Sequence, residues 1–295
     1  MLLLVDLDGV VYRGSVPVPG VAAVLAARAA VGDEVVYVTN NSMWYRADYV
    51  ARLSAMGAPV SPDRVVSSAR ATGFYLRSAE PAVRRVLTVG APGLERELRD
   101  AGFEVVPAAE AAERRARDGL EARQAAADPD AVVVGLDREV TYARLAVAAE
   151  TIRAGVRFVA TNRDPVFPTE RALQPGAGAV VAFIEAASGV TPVSIGKPAP
   201  FLLREAARAV GRSAEEAVMV GDGLLTDLAA ARAVGARSVL MLTGVTTAVQ
   251  VEALPPAERP TEVAADAAAL AAALDRLAAD DRVLPAADGV PAAGD

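Results

Sequence analysis

The sequence contains neither cysteine nor histidine. Without cysteine there is no disulfide and no thiolate nucleophile, and without either residue the usual zinc ligands are missing. A Ser-His-Asp triad is excluded because it needs a histidine. Catalysis by this chain must therefore use carboxylates, lysine, hydroxyl groups and a hard cation, and oxygen ligands select Mg²⁺ or a similar ion.

Long apolar runs and an excess of positive charge are missing as well. No apolar run reaches the length of about 18 residues that crosses a membrane, and no basic segment precedes an apolar one. We therefore expect a soluble, cytoplasmic protein without a membrane partner. The net charge of -7 argues against nucleic acid as a partner. The 295 residues, 53% apolar and 23% charged, are typical of a globular protein with two domains or one large domain.

The first apolar run, Leu2–Val5, is followed closely by Asp6, Asp8 and Gly9. Such a short run is typical of a strand that is buried on both faces in a parallel sheet. Residues two apart in a strand share a face, so Asp6 and Asp8 should point into the same space. Two carboxylates this close repel each other unless a cation or a shared proton is present. The alternative for this motif alone is an acidic surface turn.

A second strand is predicted at 34–38, and it runs directly into the polar residues TNNS at 39–42. Strand, helix and strand in this order predict a βαβ unit with parallel strands, so Thr39 should lie at the same sheet edge as Asp6. Open α/β sheets bind ligands at this edge. The structural alternative is that the residues at 39–42 only cap the next helix, predicted near 46–56.

Further along the chain, Lys197 follows an apolar stretch, and Asp222 and Asp227 follow a strand predicted at 217–220. Carboxylates, a lysine and hydroxyl or amide groups at strand ends suit phosphoryl transfer. That chemistry needs a nucleophile, a cation, donors for the phosphate oxygens and an acid for the leaving oxygen. The alternatives are a surface lysine and aspartates that cap helices. A P-loop is excluded because Pro198 stands where that motif requires Ser or Thr.

Four segments, DLDGV, VTNNS, GKP and GDGLLTD, resemble in this order the four motifs of the haloacid dehalogenase-like superfamily of phosphatases. The intervening segment contains VVVGLDREVTY and VATNRDPVFPTE. It resembles the large α/β cap of the branch that includes NagD, 4-nitrophenylphosphatase, pyridoxal-phosphate phosphatase and phosphoglycolate phosphatase. The resemblance implies an α/β fold, with a Rossmann-like doubly wound parallel sheet core and an inserted α/β cap domain. It places the core in 1–80 and 190–283, the cap in 81–189 and a loose C-terminal tail in 284–295.

The resemblance also implies catalytic and metal-binding roles. Asp6 would be the nucleophile that forms an aspartyl-phosphate, and Asp8 would act first as general acid and then as general base. The Asp6 carboxylate, the Asp8 backbone carbonyl and Asp222 would bind Mg²⁺. Asp227 would either support this metal site or pair with Lys197.

Binding roles are implied in both the core and the cap. The core residues expected to hold the phosphate are Thr39, Asn40, Asn41 and Lys197. The cap residues that are candidates for contact with the substrate are Asn162, Arg163 and Asp164, together with the loop at 135–138.

The implied activity is Mg²⁺-dependent hydrolysis of a small phosphorylated metabolite, such as a glycerol phosphate, phosphoglycolate, a sugar phosphate or a nucleotide. A phosphomutase of the same fold is one alternative. A dehalogenase is another, although Asp8 argues against it because halide displacement needs no acid. The alternative from a different class is a signalling module that is phosphorylated on Asp6 without turnover, which the inserted cap disfavours. A homodimer or larger homo-oligomer formed through the cap is the expected protein partner.

Overall fold

The computed structural model describes residues 1–168 and 173–283, and the predicted tail at 284–295 lies outside the described residues. The described strands are β1 (Leu2–Asp6), β2 (Tyr12–Arg13), β3 (Val16–Pro17), β4 (Glu34–Thr39), β5 (Val65–Ser67), β6 (Arg85–Val89), β7 (Glu104–Pro107), β8 (Ala131–Val134), β9 (Arg157–Ala160), β10 (Val166–Pro168), β11 (Leu173–Pro175), β12 (Val193–Ser194), β13 (Ala217–Gly221), β14 (Arg237–Met241) and β15 (Glu262–Ala264). The described α-helices are α1 (Val21–Ala30), α2 (Arg46–Ala55), α3 (Ser68–Ala79), α4 (Pro92–Asp100), α5 (Ala108–Asp118), α6 (Ala122–Ala125), α7 (Tyr142–Arg153), α8 (Ala177–Ser188), α9 (Phe201–Arg208), α10 (Ala229–Val234), α11 (Ala248–Glu252) and α12 (Ala267–Val283).

The larger sheet has six strands in the order β15-β14-β13-β1-β4-β5, all parallel. Every residue of β1 is buried, as expected for a central strand with helices on both faces. Helices α1 and α12 pack on one face, and α3, α9 and α10 pack on the other. The predicted doubly wound α/β core is confirmed, including the parallel pairing of β1 with β4.

A second parallel sheet lies between β5 and α9 in the chain, with the strand order β12-β9-β8-β6-β7. Helices α5, α7 and α8 cover one of its faces. This is the inserted α/β unit that the resemblance implied, and we call it the cap. Its sheet includes Val193–Ser194, a few residues beyond the boundary predicted at 189. The division of the chain into core and cap domains at these residue numbers stays a prediction.

The two sheets share one apolar cluster. It contains Val36 and Val66 from the larger sheet and Val86 and Val133 from the cap sheet, all nearly inaccessible to solvent. Helix α3 lies between them, packing against both α4 and α9. The cap is therefore joined to the core by buried apolar surface as well as by its connecting segments.

The polar residues at 39–42 do not cap α2. This helix begins at Arg46, and Tyr45 precedes it as the N-cap residue. The Asp48 carboxylate accepts a hydrogen bond from the Tyr45 backbone N–H at 3.1 Å, as an acidic residue in a first helical turn commonly does. The alternative that these polar residues serve only as caps is wrong for this helix.

The longest described helix, α12, has 17 residues and packs along the edge of the core. The sequence predicts no membrane-spanning segment. Within the two described segments, no helix combines the length and the apolar character that a membrane crossing requires.

Candidate active site

A cavity of about 580 Å³ lies at the carboxyl end of β1, between the core and the cap. Asp6 is the last residue of β1, and Asp8 follows two residues later. Both side chains line the cavity, as predicted from their spacing. Asp6 is 9% exposed whereas Asp8 is exposed. The Asp6 carboxylate therefore lies at the buried bottom of the cavity, which we call the floor. The Asp8 carboxylate is accessible to a ligand that enters the cavity.

Lys197 provides the positive charge in the floor of the cavity. Its ammonium lies 2.8 Å from Asp6 Oδ1 and 2.6 Å from Asp227 Oδ1, and its side chain is 3% exposed. Burial alone would lower the pKa of Lys197, but Asp227 and Asp6 outweigh burial, so the pKa is raised. Of the two roles considered for Asp227, pairing with Lys197 is the one present in this geometry.

Asp227 is held in place by its second oxygen. Oδ2 accepts hydrogen bonds from the backbone N–H of Gly223 at 2.9 Å and of Asp222 at 3.2 Å. These contacts come from the turn between β13 and a short π-helix, Leu224–Leu228. Both oxygens of Asp227 are thus engaged with protein groups.

The carboxylate cluster fits a hard divalent cation. Asp6, Asp222 and Asp227 each present an oxygen atom, and these atoms lie within 4.8 Å of one another. Burial and the Asp227 charge raise the pKa of Asp222 to about 6, and the same two causes raise the pKa of Asp6 well above its ordinary value. Carboxylates this close repel each other, and a bound divalent cation relieves the repulsion. Because their ligand atoms are all oxygens, this site suits Mg²⁺.

Two glycines allow this crowding. A side chain at Gly9, whose φ is +81°, would overlap the Asp222 carboxylate, and so would a side chain at Gly244. The Asp222 carboxylate also accepts a hydrogen bond from the Val245 backbone N–H at 2.8 Å. Gly9 thus lets the backbone approach the Asp222 carboxylate closely. Gly244 was not predicted, because only the folded chain brings it to this site.

The residues predicted to hold phosphate surround the floor. Thr39, Asn40 and Asn41 all line the cavity with Lys197. Thr39 Oγ1 accepts a hydrogen bond from the Asn41 backbone N–H at 3.2 Å, which folds the loop back over the end of β4. The Asn40 amide is directed instead toward Lys197 and the cap residue Asp164.

The three cap candidates at 162–164 separate into two groups. Asn162 and Asp164 line the cavity, and burial raises the pKa of Asp164. Arg163 is not among the residues lining the cavity, and its guanidinium forms an ion pair with Glu185 on the outer side of α8. The expected contact between Arg163 and the substrate therefore has no support in this arrangement, because an ion pair engages its charge elsewhere.

Several residues that line the cavity were not predicted. Arg13 and Gly14 belong to the β2–β3 hairpin, and the Arg13 side chain donates to the Thr243 backbone carbonyl. The Gly-Ser pair at 14–15 is a turn signal that could have shown this hairpin. On the cap side, Leu136 belongs to the loop predicted at 135–138, whereas Val166, Gly176 and Ala177 were not predicted. No short motif could have found these, since they meet only in the folded cap.

Two family models match the sequence. One, described as haloacid dehalogenase-like hydrolase, matches residues 3–104. The other, described as HAD-hydrolase-like, matches residues 194–270. The unmatched part between them is most of the cap. The matches therefore cover the two parts of the chain that build the larger sheet, together with β6 and α4 at the start of the cap.

Curated relatives extend the match across the cap. The chain is 38% identical over 265 residues to D-glycerol 3-phosphate phosphatase from Mycobacterium tuberculosis, covering 90% of this chain and 69% of that protein. It is 34% identical over 244 residues to acid sugar phosphatase from Staphylococcus aureus, covering 83% of this chain and 87% of that protein.

Solved structures give the same result for the fold. A p-nitrophenyl phosphatase from Archaeoglobus fulgidus superposes with a TM-score of 0.80 at 29% identity, covering 92% of this chain and 98% of that one. A glycerol phosphate phosphatase from Mycobacterium tuberculosis in complex with magnesium superposes with a TM-score of 0.77 at 38% identity, covering 91% of this chain and 75% of that one.

Proposed function

The chain belongs to the haloacid dehalogenase-like hydrolases and is a phosphatase, and we propose that it hydrolyses small polyol or sugar phosphates through an aspartyl-phosphate on Asp6. The observation that carries this proposal is the buried arrangement of Asp6, Lys197 and Asp227 beside Asp222, facing one cavity. A nucleophile, a fixed positive charge and a cation site are the parts that phosphoryl transfer needs.

In the first half of the proposed reaction, an Asp6 carboxylate oxygen attacks the phosphorus atom, and the ester P–O bond breaks. Asp8 donates its proton to the leaving oxygen, so the product leaves as an alcohol. The Asp8 side chain is open to the cavity, but the surrounding protein partly desolvates its carboxyl group and so raises its pKa, although backbone hydrogen bonds from Gly14 and Gly9 and the charge of Arg52 oppose this. A raised pKa favours the protonated form that this step requires.

In the second half, Asp8 as a carboxylate removes a proton from a water molecule. That water attacks the phosphorus of the aspartyl-phosphate, the bond between Asp6 and phosphorus breaks, and inorganic phosphate is released. The Lys197 ammonium stays within ion-pair distance of Asp6 and balances negative charge on the transferring group. Asp227 keeps that ammonium in place.

Mg²⁺ is the proposed cofactor, bound by the Asp6 and Asp222 carboxylates and the Asp8 backbone carbonyl, and it supplies positive charge to the phosphate oxygens. The support is the oxygen-only donor set and the crowded carboxylates of this cavity. A relative of the same fold is a magnesium complex. Thr39, Asn41 and Lys197 are the proposed phosphate-binding residues because they line the floor of the cavity.

The proposed substrates are esters of small hydroxylated alcohols, with glycerol phosphate first. The support is the naming of the two relatives, one a D-glycerol 3-phosphate phosphatase and the other an acid sugar phosphatase. The cavity volume of about 580 Å³ suits a small ligand of this kind. A cytoplasmic location and assembly through the cap stay predictions.

The test is release of inorganic phosphate from glycerol 3-phosphate and from 4-nitrophenyl phosphate, with MgCl₂ and then with a chelator. We expect turnover of both esters with Mg²⁺, and a loss of at least about 100-fold without it, since the metal contributes several kcal/mol to charge stabilisation. Activity should return when Mg²⁺ is restored in excess. A dehalogenase or a signalling module would turn over neither ester.

A further inference from the structure

The side chain of Asn40 is engaged by protein groups on all sides. Its Oδ1 accepts a hydrogen bond from the Lys197 backbone N–H at 2.8 Å, and its Nδ2 donates to the Lys197 carbonyl at 2.9 Å. The same Nδ2 donates to Asp164 Oδ2 at 3.0 Å. A side-chain amide has two N–H donors, so both are used. The Asn40 side chain therefore binds Lys197 and Asp164 in place of phosphate.

The cap also holds the backbone of Asn40. Asn162 Nδ2 donates to the Asn40 carbonyl at 2.7 Å, and Asn162 Oδ1 accepts from the Asp164 backbone N–H at 3.1 Å. The loop at 162–164 thus forms hydrogen bonds with both the backbone and the side chain of Asn40. Both Asn40 and Asn162 are less than 9% exposed, so water competes little for these hydrogen bonds.

There is no spare space where these segments meet. A Cβ atom at Gly196 would lie 2.6 Å from Asn40 Oδ1 and 2.7 Å from the Thr161 carbonyl oxygen. The end of β4, the cap loop and the segment that returns from the cap are therefore in direct contact. A displacement of one of these segments must be passed on to the others, because packed interiors transmit strain.

This packing makes a continuous set of contacts from the cap to the nucleophile. Asp164 contacts Asn40, Asn40 contacts the backbone of Lys197, and the ammonium of Lys197 contacts Asp6. We propose that Asp164 is a positioning residue that fixes Lys197 through Asn40. The affinity of the core for phosphate then depends on the position of the cap. This inference rests on the proposed phosphatase function of the same cavity.

The first test separates this role from direct contact with the leaving group. Inorganic phosphate, a competitive product inhibitor, carries no leaving group. In Asp164→Ala, we expect the phosphate Ki to rise on the order of tenfold, as for loss of one charge-assisted hydrogen bond. The KM for glycerol 3-phosphate and for 4-nitrophenyl phosphate should rise by the same factor. Asp164→Asn keeps an acceptor oxygen for Asn40 and should recover most of the wild-type Ki.

The matched control is Glu185→Gln, which removes a cap carboxylate that pairs with Arg163 and Thr191 outside the cavity. It should leave the phosphate Ki unchanged. A double-mutant cycle with Asn40→Ala completes the set: once Asn40 is truncated, Asp164→Ala should have little further effect on the Ki. Additive effects of the two substitutions would overturn the proposal.

The second test measures the contact between Asn40 and the Lys197 backbone directly. Lys197 is the single lysine of the chain, so protein labelled with ¹⁵N-lysine gives one backbone amide signal. That N–H is the one bonded to Asn40 Oδ1. The signal should shift in Asp164→Ala and stay in place in Glu185→Gln, with both variants folded by circular dichroism.

Two results would contradict the positioning role. One is an unchanged phosphate Ki in Asp164→Ala together with KM changes that differ between the two esters, which would make Asp164 a contact of the leaving group. The other is an unmoved Lys197 amide signal. A wild-type protein that hydrolyses neither ester refutes the proposed function. The Lys197 amide signal then tests the contact from Asp164 through Asn40 to Lys197 independently of activity.

Discussion

At the scale of single residues, Lys197 is exceptional because every other basic side chain in the protein is an arginine. A guanidinium is planar and forms paired, parallel hydrogen bonds, whereas an ammonium is a compact point charge with three donors. Lys197 has to contact two carboxylates, of Asp6 and Asp227, in a space that leaves it 3% exposed. The compact group fits this task, and the exposed ion pairs elsewhere do not require it.

Replacing Asp6 by asparagine is expected to abolish turnover and keep the fold. The amide is a poor nucleophile, and losses on removal of a nucleophile are roughly 10⁴-fold or more. The side chain keeps its shape, and the buried site loses one of three crowded carboxylates. Phosphate release and circular dichroism measure the two effects. Near-normal activity in a folded Asp6→Asn protein would refute the covalent mechanism.

Asp8→Asn is expected to discriminate between leaving groups. Glycerol needs a proton to leave, so kcat for glycerol 3-phosphate should fall by about 10²- to 10⁴-fold. The fall should be smaller for 4-nitrophenyl phosphate, whose leaving group is stable as an anion, and phosphoenzyme should accumulate because the water lacks its base. Steady-state kinetics and intact-protein mass after a quench measure these effects. Equal losses with both esters, or none, would count against the acid role.

Residue roles within one segment could be predicted from the sequence, but contacts between distant segments could not. The spacing of Asp6 and Asp8 follows from the geometry of a strand. The Asn40–Asp164 hydrogen bond joins residues 124 positions apart, and no local pattern encodes it. Arg163 shows the converse, because its sequence neighbours face the cavity while its own charge pairs with Glu185.

At the scale of elements, the strand ends and the loops after them build the site. Apolar runs predicted β1, β4 and β13 because a strand buried on both faces has a distinctive composition. The β2–β3 hairpin has two residues in each strand, which is too short for any periodicity to show. The loop after β14 was missed for another reason: its contribution is the absence of a side chain at Gly244.

Gly244→Ala is expected to weaken metal binding with little loss of stability. The new methyl group would overlap the Asp222 carboxylate, which must then move. Gly244 does not have the left-handed backbone of Gly9, so the substitution itself adds no backbone strain. We expect the Mg²⁺ concentration for half-maximal activity to rise by about tenfold or more. A Mg²⁺ titration and a melting curve provide the measurements.

An unchanged Mg²⁺ requirement in Gly244→Ala would show that Asp222 is free to adjust, or that it is not a ligand. Asp222→Asn should give the same or a larger defect. Asp222→Asn thus tests whether the carboxylate is a metal ligand, and Gly244→Ala tests whether the space around it matters for metal binding.

At the scale of the whole molecule, the shared apolar cluster makes core and cap mutually dependent. It joins Val36 and Val66 of the larger sheet to Val86 and Val133 of the cap sheet. We expect one calorimetric unfolding transition, with calorimetric and van't Hoff enthalpies that agree. Separate domains with a polar interface would melt independently. Two resolved transitions in differential scanning calorimetry would therefore contradict this prediction.

The shared cluster was beyond the reach of sequence analysis. Two α/β units could be predicted from their separate strands and helices, and the inserted arrangement followed from the family resemblance. Which faces meet depends on helix α3, which packs against α4 and α9 at once. The apolar residues of α3 are equally compatible with a helix that packs on one sheet and with a helix that packs between two sheets.

The ion pairs of Lys197 have a practical consequence for chemical labelling. Lys197 is the single lysine of the sequence, and its ammonium lies between two carboxylates. Acylating reagents attack free, uncharged amines, so Lys197 in the native protein should react slowly with them. The rate of acylation at Lys197 would then report how often the floor of the cavity opens, read directly by peptide mass.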